Sequence, residues 1–421
     1  MLKRAFILFL VSTFFLSTIP LYAAGPLDLS PLVEEAKNSN PEILATKKRY
    51  EAAKARIPQA KSLEDPVIGL KFEKAERNPF NLDTAPAMDR MLSFSQMLPW
   101  FGKLPLKGKI ALVESQAFAA EYKDKELEII NEVKNTYYGL FMNYKEIELS
   151  EESLEFLKGI AAIADAKYVV GDVTQEELFK ISLEIARLSN NIRNLKREQS
   201  AKNTRLNSLL NRQPEAFLGA PELGDDFSFS VDIDSLYRQA LENQPALLIF
   251  SYAIEKNKYA KSLAKKSFFP DLMTGIVMRG LSSGNIGPWD LMLAFSVPLW
   301  FWTKQRYEVK EAVANLEEAQ AAYQAMKNKV LAETKESATR IEISKNKISL
   351  YKTDLIPILE ASISSSLAAY RSGKGDLMML LDNERMLVET KMNYYQSLVD
   401  YNINLSDLER NVGLDLREVK K

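Results

Sequence analysis

Two pairs of segments in this chain alternate apolar and polar side chains with the period of a β-strand. In the first pair, Leu92 and Phe94 share one face, while Ser93 lies on the other. The pattern predicts β-hairpins over residues 66–98 and 270–298, each with one apolar face. Strands of about ten residues with this alternation fit the strands of a transmembrane β-barrel. A half-buried sheet in a soluble domain is the alternative interpretation.

Outside the hairpins the apolar spacing changes to that of coiled-coil helices. Ile130 and Val133 begin a run that steps alternately by three and four residues. A first helix is predicted over residues 32–61, with Ser30 as its N-cap. Pro357 predicts a local kink, because proline cannot donate a backbone hydrogen bond inside a helix. Longer helices are predicted at residues 104–170, 174–211, 304–371 and 375–411.

The two halves of the chain repeat one pattern. Pro41 in the first half corresponds to Pro245 in the second, and Gly171 corresponds to Gly373. An internal repeat of this length indicates that one structural unit is used twice. The predicted organisation is a first repeat at residues 25–213, a linker at 214–231, a second repeat at 232–413 and a C-terminal tail at 414–421.

The N-terminal segment has the pattern of a secretory signal peptide. Lys3 and Arg4 precede an apolar run over residues 5–16, and small residues follow at Ala23 and Ala24. This order of a basic start, a short apolar core and small residues is typical of a cleaved signal. We expect residues 1–24 to be removed. No Cys follows the cleavage site, so a lipid-modified N-terminal Cys is not expected.

Composition narrows the classes of function. The 421 residues contain no Cys and no His, and the formal net charge is -1. These counts exclude disulfides, thiolate or imidazole metal sites and His-dependent catalytic triads. The charge provides no basic field for nucleic acid. We therefore expect a protein that is not an enzyme, with no cofactor, no metal site and no nucleic-acid partner.

Aromatic side chains bound the predicted strands. Trp and Tyr rings favour the boundary between lipid and water, where one side of the ring is apolar and the other can form hydrogen bonds. We therefore predict an aromatic girdle at a membrane interface, with a small aromatic core at a junction of sheet and helix as the alternative. The predicted interface residues are Trp100, Phe101, Phe268, Phe269, Trp289, Trp300, Phe301 and Trp302.

Several features together make the mature chain similar to a known family. They are the duplicated Asn-Pro and Gln-Pro openings at Asn40 and Gln244, the segment SFSQMLPWFGK from Ser93, and the segment YRSGKGDLMMLLDNERM from Tyr370. In order and spacing they resemble the TolC-like outer-membrane efflux proteins. The PWFGK form is more similar to the branch that serves heavy-metal or cation efflux pumps.

The resemblance implies a mainly α-helical protein with a β-barrel part. Four transmembrane strands per chain leave two open edges, which lipid does not tolerate, so several copies must close the sheet. The family implies a homotrimer with a 12-stranded barrel in the outer membrane. Its long antiparallel coiled-coil helices form a trimeric α-barrel that extends into the periplasm. The implied function is a passive export duct, opened by a periplasmic adaptor and an inner-membrane pump.

The resemblance also implies a gate. Family members present acidic side chains to the pore three residues apart at the tip of the second repeat, and the matching positions here are Met379 and Asp382. Asp382 fits this pattern and Met379 departs from it. A trimer would then carry one ring of three carboxylates, which favours cations at a constriction.

The helix turns at the tip match the family's adaptor-docking surface. Their glycines can adopt the positive φ that reverses the chain between antiparallel helices. Asp172, Glu176 or Glu177 are the candidate ion-pair partners of the basic residues beside the second turn. The predicted tip residues are Gly171, Asp172, Tyr370, Arg371, Gly373 and Lys374.

Two other functions are alternatives to an export duct. A soluble periplasmic coiled-coil adaptor or scaffold would pack the apolar faces of the hairpins on a soluble core. An enzyme with a pair of carboxylates, as in glycosidases, would need a compact catalytic domain, which the sequence pattern does not predict. No nucleotide-binding loop of the form GxxxxGK[ST] is present, so a duct would be driven by another protein.

Overall fold

The computed structural model describes residues 27–72, 90–224, 229, 232–280 and 287–416. The predicted signal peptide and the loop of the first hairpin lie outside these residues. The helices are α1 (Leu29–Ser39), α2 (Pro41–Lys61), α3 (Lys103–Val169), α4 (Gln175–Leu209), α5 (Ile233–Asn243), α6 (Pro245–Lys266), α7 (Gln305–Ser349), α8 (Ile356–Arg371) and α9 (Leu377–Val412). The strands are β1 (Val67–Phe72), β2 (Arg90–Leu98), β3 (Asp271–Arg279) and β4 (Trp289–Ser296).

The strands form one antiparallel sheet in the order β1-β2-β3-β4. Phe94 pairs with Ile276, which pairs in turn with Leu291, so these three side chains lie side by side on one face. All three are exposed. The opposite face carries Ser93 and Ser95 and is half-buried. The predicted alternation is therefore present, and the sheet turns its apolar face to the outside of the chain.

The helices next to the sheet continue its order. They pack side by side in the order α2, α3, α6 and α7. This order matches that of the strands to which they connect. At 1.5 Å per residue, the 67 residues of α3 span roughly 100 Å. The molecule is therefore a sheet at one end of a long helical layer.

The structure divides the first predicted helix in two. α1 ends at Ser39, and Asn40 is extended before Pro41 begins α2. The side-chain oxygen of Asn40 accepts from the backbone N–H of Glu42 at 2.8 Å, and its amide donates to the Leu209 carbonyl at 2.8 Å. The Asn40 side chain therefore pairs with a backbone N–H at the start of α2 and with a carbonyl at the end of α4, which have no partner within their own helices. The prediction that Ser30 is the N-cap of the first helix was wrong.

The residue that caps α1 is Asp28, whose carboxylate accepts from the backbone N–H of Ser30. Ser30 itself lies inside the helix. An aspartate is as good an N-cap as serine, and here it stands one residue before the first helical position. The helix therefore starts earlier than the sequence pattern predicts.

The interruption predicted at Pro357 takes the form of a π-helical segment, Leu350–Leu355. Pro357 lies in the first turn of α8, where its missing N–H costs least. In a π-turn the hydrogen bonds span five residues, which accommodates one extra residue between α7 and α8. The hydroxyl of Thr353 donates to the Ser349 carbonyl at 2.7 Å.

Buried apolar residues form three clusters along the helices. In the first, the Tyr137 hydroxyl oxygen lies 2.7 Å from both the Leu27 and the Glu222 carbonyl oxygens, and its single proton can be donated to either one. Burial raises the pKa of Tyr137 to about 12. A buried ion pair, Lys134–Glu409 at 2.6 Å, joins α3 to α9 nearby. The third cluster lies at the end of the helices farthest from the sheet.

Candidate functional site

The third cluster holds together two helix reversals, which we call the tip: residues 170–174 between α3 and α4, and residues 372–376 between α8 and α9. Gly171 has φ +85° and Gly373 has φ +73°. In each turn a backbone N–H reaches back to the preceding helix, from Asp172 to Lys167 at 2.9 Å and from Lys374 to Ala369 at 3.0 Å. Both glycines therefore terminate a helix through a left-handed residue.

Gly375 is a tip residue that the sequence analysis missed. A Cβ atom built at this position would lie 2.7 Å from the Tyr370 amide nitrogen and 2.8 Å from the Ala369 carbonyl carbon. Its own N–H donates to the Ala369 carbonyl at 3.0 Å. The close approach of the chain to the end of α8 therefore excludes any side chain. The segment RSGKG offers a signal, because a second glycine closely follows the one at positive φ.

Polar caps start the outgoing helices of the tip. Thr174 accepts from the backbone N–H of Glu177 and begins α4. Asp376 accepts from the backbone N–H of Met378 and begins α9. The caps satisfy backbone donors that would otherwise be unpaired at each helix start. The first turns of α4 and α9 are thereby held in place close to the glycines.

Tyr370 belongs to the core of the tip. Its side chain is buried in the same cluster as Leu157 and Ile160 of α3. Leu377 and Leu380 of α9 complete this cluster. Burial raises the pKa of the Tyr370 hydroxyl. This corrects the prediction that Tyr370 forms part of a docking surface, because its ring is not accessible to a docking protein.

The carbonyl of Tyr370 connects the two reversals directly. It accepts a hydrogen bond from the Lys167 ammonium at 2.7 Å, and the same ammonium lies 5.0 Å from the centre of the Tyr370 ring. A cation at that distance from an aromatic face is attracted to it. Lys167 therefore ties the end of α3 to the end of α8.

The predicted gate residues lie together on one exposed face of α9. Met379 is 62% exposed, and the Asp382 side chain is 59% exposed. Met386 and Glu389 continue the same face, since positions spaced by three, seven and ten residues align along a helix. The stripe therefore alternates thioether and carboxylate groups. In a single chain it contacts solvent rather than a core.

Arg385 lies beside this stripe and connects it to α4. Its Nη2 atom lies 2.6 Å from Oε1 of Glu184, and its Nη1 atom lies 3.6 Å from Oδ1 of Asp382. Asp382 is thus part of an ion-pair network that crosses from α9 to α4. Neither Arg385 nor Glu184 is among the functional residues predicted from the sequence.

Glu384 is a buried carboxyl next to the stripe. It accepts a hydrogen bond from the Ser153 hydroxyl of α3. Burial is the main influence on Glu384 and raises the pKa of its carboxyl, while the Ser153 hydrogen bond opposes this rise. Ser153, Glu184, Glu384 and Arg385 line a groove of about 340 Å³ between α3, α4 and α9. The sequence offers a weak signal for Glu384, because this acidic residue lies three positions from an apolar core residue of the same helix.

The ion pairs that the sequence suggested at the tip do not form within one chain. Arg371 and Lys374 are exposed, and neither forms an ion pair with any residue that the structure describes. Glu176 instead pairs with Lys180 one turn along α4, at 2.7 Å. Asp172 is exposed at the first reversal. These charges therefore face solvent in the isolated chain.

Aromatic rings gather where the sheet meets the helices. Trp100 stacks on Phe269 with ring centres 5.5 Å apart, and Phe301 meets Trp302 edge to face at 4.9 Å. Trp289 lies at the other end of β4, roughly 24 Å from Ser296 along the strand. The exposed aromatic residues at the ends of the strands are Phe101, Phe268, Phe269, Trp289, Trp300, Phe301 and Trp302.

The described ranges contain no membrane-spanning helix and no cluster of metal-ligating side chains. None of the helices there is long and apolar enough to cross a membrane. In the same ranges, no group of three or more His, Cys, Asp or Glu side chains is arranged to hold a metal ion. The tip presents the charge and thioether surface of α9 and the ion pairs behind it.

Comparison with known proteins matches nearly the whole chain. The cobalt-zinc-cadmium resistance protein CzcC of Cupriavidus metallidurans is 18% identical over 391 residues, which cover 90% of this chain and 88% of that protein. The solved outer-membrane channel OprN has a TM-score of 0.79 at 17% identity and covers 93% of this chain and 94% of its own. The outer-membrane protein VceC of Vibrio cholerae has a TM-score of 0.77 at 18% identity and covers 91% and 96%.

The two solved channel structures share the fold of this chain, with its long helices and small antiparallel sheet. The sequence model of the family described as outer membrane efflux protein matches residues 32–212 and 236–414. The match covers the helices and strands of both halves and both reversals of the tip. The chain therefore belongs to the outer membrane efflux protein family.

Proposed function

We propose that this protein is the outer-membrane channel of a three-part export system. It would act as a passive duct from the periplasm to the outside. The proposal rests on the exposed apolar face of the sheet, at Phe94, Ile276 and Leu291, and on the helical layer joined to it, in which α3 alone spans roughly 100 Å. An apolar face bounded by aromatic rings suits lipid, and the helices are long enough to form a conduit below it.

Closure of the sheet requires other copies of the chain. Among the described strands, β1 and β4 each pair on one side only, so both outer edges of this sheet expose backbone groups. Such edges are too costly in lipid unless another strand pairs with them. Three copies would give a 12-stranded barrel and, below it, a trimeric α-barrel. We therefore propose a homotrimer that is embedded in the outer membrane and extends into the periplasm.

The exposed stripe on α9 would line the constriction of this duct. In a trimer, Asp382 would form a ring of three carboxylates, with Met379 as an apolar ring beside it. A carboxylate ring favours the passage of cations over anions. We propose metal cations as the cargo, a proposal supported by the carboxylate stripe and by the similarity to a cobalt-zinc-cadmium resistance protein.

The free charges of the tip would contact other protein surfaces. Asp172, Arg371 and Lys374 have exposed side chains beside Gly171 and Gly373. We propose that they pair across neighbouring copies when the duct is closed and contact a periplasmic adaptor when it opens. An inner-membrane pump would supply the energy, and the channel itself would carry out no catalysis.

Planar lipid bilayers provide the functional test. The purified protein should form cation-selective channels of low conductance, and Asp382→Asn should raise the conductance and weaken the selectivity. Asp165→Asn is the matched control, because Asp165 is an exposed carboxylate at a similar depth on α3. Equal currents in the wild type and in Asp382→Asn would place the constriction elsewhere. Purification as a soluble protein without detergent would support the periplasmic adaptor function instead.

A further inference from the structure

Basic residues are concentrated where the helices adjoin the sheet. The helix ends at this level are residues 52–61 of α2, 103–112 of α3, 257–266 of α6 and 305–314 of α7. Together they carry twelve Lys or Arg and two Asp or Glu, a net charge of +10, whereas the whole chain has a net charge of -1. We call the Lys and Arg side chains of these four ranges the basic belt.

The basic belt lies next to the aromatic rings. The Lys266 ammonium is 5.4 Å from the centre of the Phe269 ring, which stacks on Trp100. The Lys266 side chain also passes over the start of α3, since its Cε atom is 3.5 Å from the Cβ position of Gly102. The basic belt therefore lies directly beside the aromatic rings of Trp100 and Phe269.

Among the residues that the structure describes, most of this positive charge has no ion-pair partner. Lys103 pairs with Asp271 at 2.7 Å, and the Trp100 amide also donates to that carboxylate. In the part of the chain that the structure describes, the other belt cations form no ion pair, and most of them are exposed. An uncompensated field of one sign attracts a partner of the opposite charge.

Helix stability does not explain the belt on α3. Lys103, Lys107 and Lys109 lie in the first two turns of that helix, and its first turn has no acidic residue. The helix dipole places positive charge at this end, so these lysines are on the unfavourable side. An anion outside the chain would relieve the repulsion.

We propose that the basic belt binds the headgroups of anionic phospholipids at the inner boundary of the membrane. The proposal rests on the proposed function, because it requires the sheet to lie in lipid. Aromatic rings mark the headgroup level of a membrane protein, and lysines just beyond them reach the phosphates. Clusters of Lys and Arg at that depth attract anionic lipids over zwitterionic ones. The belt would therefore fix how deeply the sheet sits.

The native tryptophans report directly on this boundary. The chain has four Trp residues, and Trp289→Phe leaves only Trp100, Trp300 and Trp302, all at the belt end of the strands. The variant is reconstituted in phosphatidylcholine bilayers that contain an equal fraction of brominated phosphatidylglycerol or brominated phosphatidylcholine. We expect the association constant at the Trp sites to be about three-fold or more higher for phosphatidylglycerol, with a decline as salt screens the charges.

A charge variant tests whether the belt causes this preference. In the Trp289→Phe background, Lys107→Gln, Lys109→Gln and Lys265→Gln together should bring the ratio of the two association constants close to one. The matched control is Lys335→Gln with Lys347→Gln and Lys352→Gln. These lysines are also exposed and unpaired in the described structure, but they lie far from the sheet. The control should keep the preference for phosphatidylglycerol.

Each remaining outcome has a distinct meaning. Equal quenching by both brominated lipids, or a preference that the belt variant keeps, would contradict the proposal. A preference removed by inorganic phosphate, but not by chloride at the same ionic strength, would assign the belt to free phosphate and also contradict it. Absence of quenching by either lipid would contradict the membrane placement of the sheet, and thus the proposed function itself.

Discussion

Arg385 on α9 reaches across to Glu184 on α4, with 2.6 Å between Nη2 and Oε1. The same guanidinium lies 3.6 Å from Asp382. One side chain therefore holds the second helix pair of the tip to the first and also partly balances the charge of the proposed gate. Arg385 has a side chain that is 61% exposed, so the link is accessible to water and can open at low cost.

We expect Arg385→Gln to raise the conductance of the closed channel and to increase its selectivity for cations. The substitution removes the link to Glu184 and leaves the Asp382 carboxylate without its cation. Because the pair is largely exposed, the free energy of unfolding should change by less than about 1 kcal/mol. Arg187→Gln is the control, since Arg187 lies 3.8 Å from the same Glu184 but does not contact α9 through an ion pair. Bilayer currents that are the same for both variants would contradict this role for Arg385.

Glu384 should make the stability of the tip depend on pH. Burial raises the pKa of its carboxyl in the folded chain, so the folded state holds a proton more strongly than the unfolded state. The stability that Glu384 contributes is complete below the pKa that its carboxyl has in the unfolded chain. It is lost as the pH rises through the higher pKa that the carboxyl has in the folded chain. We expect Glu384→Gln to melt at the same temperature as the wild type at low pH and at a higher temperature at neutral pH. A difference in melting temperature that does not vary with pH would rule out this effect.

Gly375→Ala should destabilise the turn between α8 and α9. The new methyl group would lie under 3 Å from backbone atoms of Ala369 and Tyr370, so the chain must shift. We expect a loss of about 1–3 kcal/mol in the free energy of unfolding. Gly159→Ala is the matched control, because nothing lies within 4 Å of its Cβ position and alanine favours the helix. Thermal unfolding in detergent compares the two, and equal melting temperatures would show that the turn has room for a side chain.

Asn40→Ala should cost about 1–3 kcal/mol, because the three hydrogen bonds of a buried side chain are lost. Asn40 caps α2 and also donates to the Leu209 carbonyl. Gln244 holds the equivalent place before α6, but its side chain forms no cap. Gln244→Ala should therefore cost less in denaturant unfolding. The reverse order of the two variants would contradict the role given to Asn40.

Sequence patterns are most informative in the β-strands, where successive side chains must face opposite sides of the sheet. The alternation at Leu92 and Ile276 predicted the two faces of the sheet, because an error of one residue would reverse them. The break at Asn40 was missed in the helix prediction, since a proline at a first helical position is compatible with either one helix or two.

Contacts between distant helices were not predictable in the same way. The links from Arg385 to Glu184 and from Glu384 to Ser153 depend on how α9 is rotated against α4 and α3. Charged residues on a coiled-coil helix look alike in sequence whether they face water or a neighbouring helix. The basic belt was missed for another reason, because its four segments are far apart in the chain and the net charge is close to zero.

The number of chains in the complex can be read from its protein mass in detergent. We propose that the exposed apolar sheet is closed by further copies of the chain and sits in lipid. Light scattering combined with size-exclusion chromatography separates the protein mass from the detergent mass. We predict a protein mass three times that of one processed chain, and a need for detergent to keep the complex in solution. A single chain that remains in solution without detergent would contradict the account.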